Sequence, residues 1–352
     1  AQIVKTLTKF GHKVTLIARE RDSSIENVSF VPIRYRARGS ILKTYFFFTK
    51  VRKMLMRAGF DVVYGLSRVY PTDVFRVSDP LHAAWIERRY HGKLPHHLVN
   101  LSLRHQLILA LERKVITDSQ VQIVCNSRLV ATEIEKFYEL PQSSSRLRVI
   151  YNGVDQQQFN PAVRKAGKHL REQLNLQNKT VLLFVGADVR RKGFETLVKA
   201  MSSFRQKELY LLAVGLTRKD VSFSLPATVQ ERITFLGRVS DPETYYGAAD
   251  LLVLPTRYDP FANVCLEALA CGTPVVTTTS NGASEIIESG QTGFIMEDPQ
   301  SDEELMEKLA EYLSLTESGR GLMGEQAAHR AAQYTWERHG KALLEVFEGI
   351  GS

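Results

Sequence analysis

Short apolar runs recur along the chain. They fall at residues 14–18, 61–64, 121–125 and 147–151 in the first half, and at 181–185, 209–214, 233–236, 251–254, 274–278 and 293–296 in the second. Segments with helical spacing of apolar positions lie between most of them. Apolar runs without polar alternation predict strands covered on both faces, hence parallel sheets under helices. Alternating strand and helix predicts doubly wound α/β architecture. The polar, turn-rich stretch Asn152-Gly153-Val154-Asp155 and its continuation to Pro161 marks a domain boundary. Residues 334–347 are amphipathic, with Trp336, Leu343, Leu344 and Phe347 as apolar positions. This divides the chain into 1–152, 153–333 and a last helix in 334–352. The chain opens on a helix-like stretch, 1–10, followed by Gly11-His12-Lys13. A doubly wound domain opens with a strand and a glycine-rich turn, so its first strand is expected to be missing here.

Composition narrows the class. With 352 residues, 44% hydrophobic and 24% charged, the chain suits two globular domains. No run nears the ~18 apolar residues of a membrane span, and no basic segment followed by an apolar core opens the chain as an export signal would. Cys125, Cys265 and Cys271 have no metal-ligand spacing and sit in apolar runs, which predicts buried thiols in a reducing cytoplasm. Net charge is +8, unevenly spread: residues 1–150 hold 25 Lys/Arg and 12 Asp/Glu, while 151–352 hold 21 and 26. The two halves therefore meet different partners. Residues 27–60 carry eight Lys/Arg, no Asp/Glu, and Tyr35, Tyr45, Phe46, Phe47, Phe48 and Phe60. The stretch 41–57 reads as a basic, aromatic amphipathic helix suited to an anionic bilayer surface, each cation adding ~1 kcal/mol near an acidic leaflet. The plainer reading is a surface helix whose Phe residues face the core. A nucleic-acid partner is not expected, since no binding module accompanies the charge.

The densest chemistry lies in residues 250–279, ADLLVLPTRYDPFANVCLEALACGTPVVTTT. A strand ends at Pro255-Thr256, a loop carries Arg257, Tyr258, Asp259 and Pro260, and a helix runs from near Ala262 to Gly272, a residue suited to end it. Ligands of open α/β sheets sit beyond the carboxyl ends of strands, and the free N–H groups of the helix start around Ala262–Val264 suit a phosphate. Glu267 lies at i+4 from Asn263, on the same helix face. Beside a phosphate its carboxylate suits two ribose hydroxyls, and Asp259 suits sugar hydroxyls. The plainer reading is a helix-start Asp and a solvated Glu. A second segment, residues 186–193 (GADVRRKG), sets Arg190, Arg191 and Lys192 between two glycines at a strand end, where cations can neutralise a diphosphate. It is neither a Walker A loop nor a GxGxxG turn.

The order of 186–193, then 235–239 (FLGRV), then 259–276 (DPFANVCLEALACGTPVV) resembles the donor domain of family 4 glycosyltransferases, as do Asn152-Gly153-Val154-Asp155 and Ser127 after a strand. Within the family, residues 258–266 and the surroundings of His82 look most similar to bacterial lipopolysaccharide-core glucosyltransferases. The resemblance implies a GT-B fold: two Rossmann-like domains facing across a cleft, 1–152 on the acceptor side, 153–333 binding the donor, and 334–352 crossing back to the first. It implies that Arg191 and Lys192 bind the diphosphate, that Glu267 binds the ribose, and that Asp259 meets the transferred sugar beside the N–H groups of Phe261 and Ala262. Gly186 and Val264 would line the nucleotide, and Gly237-Arg238-Val239 would lie beside the base. Asp259 stands where the family usually has Glu, a side chain shorter by ~1.5 Å. In the first half, His82 of 76–82 (RVSDPLH) would contact the donor sugar, against the plainer reading of a core His. Asp79 is a weaker candidate, and Trp85, Arg88 and Arg89 follow on a helix toward the acceptor.

The expected activity is transfer of a hexose, glucose first, from a nucleoside-diphosphate sugar, UDP first, to a saccharide or lipid-linked acceptor such as a lipopolysaccharide core, with retention. His82, Asp259 and Lys192 are the catalytic candidates. No Asp-x-Asp occurs, so no metal cofactor is expected. Closure of the domains would exclude water. The expected place is cytoplasmic, peripheral on the inner face of the inner membrane through 41–57. The alternatives are a non-catalytic nucleotide-sugar binder and a GT-B-fold epimerase or phosphorylase.

Overall fold

A computed structural model of the chain describes residues 2–20, 28–90, 102–204 and 209–350. The chain divides into two compact units, one of Ala1–Asn152 with Trp336–Ser352, the other of Gly153–Thr335. Both are Rossmann-like α/β domains whose paired strands run parallel.

The second unit holds strands β7 (Thr180–Val185), β8 (Leu209–Val214), β9 (Ile233–Gly237), β10 (Leu251–Leu254), β11 (Val275–Thr278) and β12 (Gly293–Met296). They pair in the order β12-β11-β10-β7-β8-β9. Counted within the unit this is 3-2-1-4-5-6, the dinucleotide-binding arrangement. Leu182, Leu183, Phe184, Leu211, Leu212 and Leu251 are fully buried, because helices cover both sheet faces and leave no side for polar alternation. The order reverses between β7 and β10. The loops that follow these two strands lie at the carboxyl ends, where open α/β sheets bind their ligands.

The first unit holds two sheets among its described residues. Strands β1 (Thr15–Ala18) and β2 (Ser29–Pro32) pair with each other, and β3 (Tyr64–Gly65), β4 (Val74–Val77), β5 (Gln122–Cys125) and β6 (Leu147–Val149) pair in chain order. Ile3, Leu7, Val74, Val124, Ile150, Leu343 and Val346 form one core cluster. The last helix, Trp336–Glu348, thus packs into the first unit. Gly340 permits this closeness, since a Cβ there would lie 2.5 Å from Thr6.

Two strands lie outside the apolar runs. β4 carries Arg76, which breaks the run although the side chain is buried. β2 is only partly buried and carries Ser and Pro. The run at 61–64 yields only Tyr64–Gly65 as strand, because the Val63 N–H donates to the Asp73 carboxylate (2.6 Å) and leaves the ladder. Cys125, Cys265 and Cys271 are buried thiols.

Candidate functional site

The loop after β7 and the loop after β10 meet at the reversal of strand order. Arg191 Nη1 donates to Asp259 Oδ2 at 2.8 Å, and Lys192 Nζ donates to the same oxygen at 2.6 Å. Lys192 and Asp259 are buried, while Arg191 is partly exposed. The remaining oxygen, Oδ1, accepts from Phe261 N–H at 3.2 Å. The two loops are also joined through backbone: Arg257 N–H donates to the Arg191 carbonyl (2.8 Å), and Thr256 Oγ1 donates to it as well (2.9 Å).

Gly193 makes this approach possible. Its φ is +76°, and a Cβ would lie 1.9 Å from the Pro255 carbonyl oxygen. No other residue both adopts that backbone and leaves room for the β10 end. The helix Phe194–Ser203 starts immediately after it and buries Phe194, Leu197, Val198 and Met201. Lys192 is thus set between a fixed turn and a packed helix.

Beyond Asp259 the helix Asn263–Ala270 places Glu267 one turn in. Glu267 Oε2 accepts from the Tyr246 hydroxyl at 2.7 Å. Burial raises the carboxyl's pKa against the lowering effect of that hydrogen bond, so the proton is held more tightly than on an ordinary Glu. Asn281, fully buried after β11, accepts at Oδ1 from Ala262 and Ala283 N–H (both 3.1 Å) and donates to Thr277 Oγ1 (2.9 Å). It pins the helix entry to the next strand. Asp259 is held there too, with its N–H on Ser280 O and its carbonyl accepting from Gly282 N–H.

The structure therefore brings Arg191, Lys192, Asp259, Phe261 and Ala262 together. The N–H groups of Phe261 and Ala262 are engaged by Asp259 and Asn281, so in this state they do not point to an open site. Gly186 opens β7's outgoing turn, 3.1 Å by its would-be Cβ from the Lys192 side chain. Val264 is half-buried on the Glu267 helix. Arg238 is exposed and Val239 half-buried after β9, two strands from β7. Tyr246 and Asn281 were not singled out in the sequence. Asn281 had a signal, as a polar residue before Gly282 at the end of a strand. Tyr246 had none, because its partner Glu267 is 21 residues away.

In the first unit His82 is buried at the start of the helix His82–Tyr90. Its N–H and that of Ala83 donate to Glu112 (2.8 and 3.2 Å), whose buried carboxylate also accepts from Arg68 Nε and the Tyr138 hydroxyl (both 2.6 Å). A carboxylate at a helix N-terminus meets its unpaired N–H groups and its dipole. The His82 Nε2 lies 3.0 Å from His105 Nδ1, and its ring stacks on Trp85 at 5.6 Å and 9°. Burial lowers the His82 pKa to about 4 and also lowers that of His105, so both rings are neutral near pH 7. Glu112 and His105 escaped the sequence reading because a charged residue in a helical run reads as solvated. Arg88 pairs with Glu133 at 2.8 Å and is committed to the fold. Arg89 covers Trp85 at 5.1 Å.

The helix Ser40–Leu55 turns Val51, Leu55, Phe47 and Met54 inward. Ile41, Leu42, Tyr45 and Phe46 stay exposed, and Met56 and Phe60 follow, also exposed. The Phe residues thus divide between core and surface. Among the described residues no helix is long and apolar enough to cross a membrane.

Comparison with known proteins matches both units. Residues 1–158 fit the family model Glycosyltransferase Family 4, and residues 168–330 fit Glycosyl transferases group 1. The spore coat protein SA of Bacillus subtilis is 27% identical over 268 residues, 71% of this chain and 70% of that protein. A D-inositol 3-phosphate glycosyltransferase of Corynebacterium urealyticum is 28% identical over 255 residues, 68% of this chain and 59% of that protein. Part of each relative therefore lies outside the match. The crystal structure of WaaG, described as a glycosyltransferase involved in lipopolysaccharide biosynthesis, superposes with a TM-score of 0.84 at 21% identity, over 99% of this chain and 94% of that one. That similarity gives the fold, GT-B.

Proposed function

We propose, on the premise that this chain joins a family 4 glycosyltransferase domain to a group 1 glycosyl transferase domain in the GT-B fold, that it transfers a hexose, glucose first, from UDP-sugar to a saccharide or lipid-linked acceptor with retention. The observation that carries this is the convergence of Arg191, Lys192 and Asp259 at the strand-order reversal. Two cations on one carboxylate oxygen form a site that an incoming diphosphate can enter by replacing that oxygen. The cations then neutralise the leaving diphosphate, and Asp259 is released to accept from hydroxyls of the sugar. Glu267 uses one oxygen on Tyr246 and offers the other to the ribose. Arg191 and Lys192 supply the positive charge a metal would otherwise give, so the reaction proceeds in EDTA. In a retaining course on one face of the sugar, the leaving phosphate oxygen takes the acceptor's proton.

The exposed apolar residues of Ser40–Leu55, with Lys43, Lys50, Arg52 and Lys53 on the same helix, support docking on an anionic membrane surface, on the cytoplasmic face. An acceptor anchored there, such as a lipopolysaccharide core, fits this placement, and the WaaG similarity supports it. The first test is calorimetric titration of UDP into the chain and into Glu267→Ala. The variant should bind more weakly by ~2 kcal/mol, the scale of charged hydrogen bonds. Equal binding refutes the role of Glu267; binding of GDP or ADP but not UDP changes the base; binding of none refutes the donor site. The anomeric configuration of the first product, read by NMR, tests retention.

A further inference from the structure

A second concave site lies in the first unit, lined by residues given no role above. β1 and β2 run parallel, and Ile33 N–H donates to the Ala18 carbonyl at 2.8 Å, so both strands end at one level. Just past those carboxyl ends is a cavity of about 380 Å³ lined by Arg19, Glu20, Ile33, Arg34, Tyr35 and Arg36. Its volume is that of a small-molecule site, and the carboxyl ends of parallel strands are where such sites form.

The electrostatics are one-sided. Among the described residues three guanidinium groups line the cavity against one carboxylate, and none of the three is ion-paired to an acid. Elsewhere in this unit arginines do find carboxylates, as Arg68 finds Glu112 and Arg88 finds Glu133. Arg19 is held over the Tyr35 ring at 5.1 Å, a cation–π contact that orders the guanidinium while leaving its N–H groups to bond a ligand. Lys50, from the helix Ser40–Leu55, donates to the Arg34 carbonyl and adds a fourth cation beside the cavity. Ile33 is buried and Tyr35 half-buried, so the cavity also has an apolar floor.

We infer that this cavity binds a phosphoryl group carried on an organic body, with Arg19, Arg34 and Arg36 on the phosphate oxygens and Ile33 and Tyr35 under the attached carbons. Like charges facing one cavity repel, and a dianion among them removes that repulsion while the planar forks bond its oxygens in pairs. The phosphate belongs to a phosphorylated saccharide or to a phospholipid headgroup. Either makes the cavity an acceptor-recognition site, an inference that rests on the transferase reading given above.

The test uses the whole chain with UDP present at saturation, which keeps the donor cations occupied. Glucose 6-phosphate and dihexanoyl phosphatidic acid, the latter below its micelle concentration, are each titrated calorimetrically into the wild type, Arg19→Gln/Arg36→Gln and Arg19→Lys/Arg36→Lys. The wild type is expected to bind at least one probe. The Gln pair should lose tenfold or more, and the Lys pair, which keeps the charge without the planar forks, should fall between it and the wild type. Binding of the sugar phosphate alone identifies a saccharide source, and binding of the lipid alone a headgroup. Binding of neither probe, or equal binding by wild type and the Gln pair, overturns the inference. UDP affinity measured separately on the same three proteins reports the donor site, so a failure there is told apart from a failure here.

Discussion

Asp259 Oδ2 accepts from two cations at once, so its removal has opposite effects on binding and on turnover. Asp259→Asn removes the anion that Arg191 and Lys192 share. UDP should then bind as tightly as before or more tightly, while kcat falls a hundredfold or more because the sugar loses its charged acceptor and meets an amide in its place. Titration and steady-state kinetics on one preparation check this split; weaker UDP binding would mean that Asp259 organises the phosphate site instead. Glu267 adds a pH term. Its pKa is raised by burial, so the carboxylate needed for ribose protonates at a higher pH than an ordinary Glu. UDP affinity should fall as pH drops through that raised pKa, and the fall should vanish in Glu267→Gln. The same shift acts on folding with the other sign: a raised carboxyl pKa favours the folded state below the unfolded value, and that contribution is lost as pH rises through the folded one.

Among the elements, the turn before the helix Phe194–Ser203 is the most constrained. Gly193→Ala puts a methyl 1.9 Å from the Pro255 carbonyl at a φ of +76°. The β7 and β10 loops must then separate. The expected cost is about 2–4 kcal/mol in urea unfolding, with loss of UDP binding, because Lys192 follows the turn. A variant of wild-type stability would show that the loops accommodate the methyl. The helix Ser40–Leu55 makes the opposite case. Leu42 and Tyr45 are half exposed, at 49% and 50%, and Leu42→Ser/Tyr45→Ser removes surface without touching Val51 or Leu55. Melting temperature should hold, while sedimentation with phosphatidylglycerol vesicles falls severalfold. Undiminished sedimentation would mean that the basic residues alone carry adsorption. The core–surface division of the aromatics was not legible in the sequence: Phe46, Phe47 and Phe48 are consecutive, and only the packing of Phe47 against Ile33, Val51 and Val69 orients the helix.

For the molecule as a whole, the two units should answer separately to acid and to ligand. His82 and His339 both belong to the first unit, and burial lowers each pKa to about 4 from 6.5. Their contribution is full above pH 6.5 and is lost as pH falls from there toward 4, because the unfolded chain takes up the protons first. Scanning calorimetry from pH 7 to 5 should show the first unit's transition moving down, less so in His339→Gln. UDP should shift only the other transition, by about 2.7 kcal/mol at a hundred times Kd. A single transition moved by both would show the units unfolding together. What the sequence alone determined was whatever is written in short-range order. Apolar runs gave the buried strands, since a strand covered on both faces needs no alternation. The turn at Asn152–Asp155 stood out by its turn-forming residues, although Asn152, Gly153 and Val154 are buried. The spacing of Asp259 and Glu267 stood out because a loop and one helix turn hold them. The tertiary structure decided what depends on groups distant in the chain. It placed Arg191 and Lys192 on one oxygen of Asp259 across 67 residues or more, buried Arg76 inside a strand, joined Glu112 to the start of the His82 helix, and gathered Arg19, Arg34 and Arg36 past the ends of β1 and β2. The physical reason is that burial and electrostatic pairing are set by which surfaces the packed sheets bring together, and no local pattern records that.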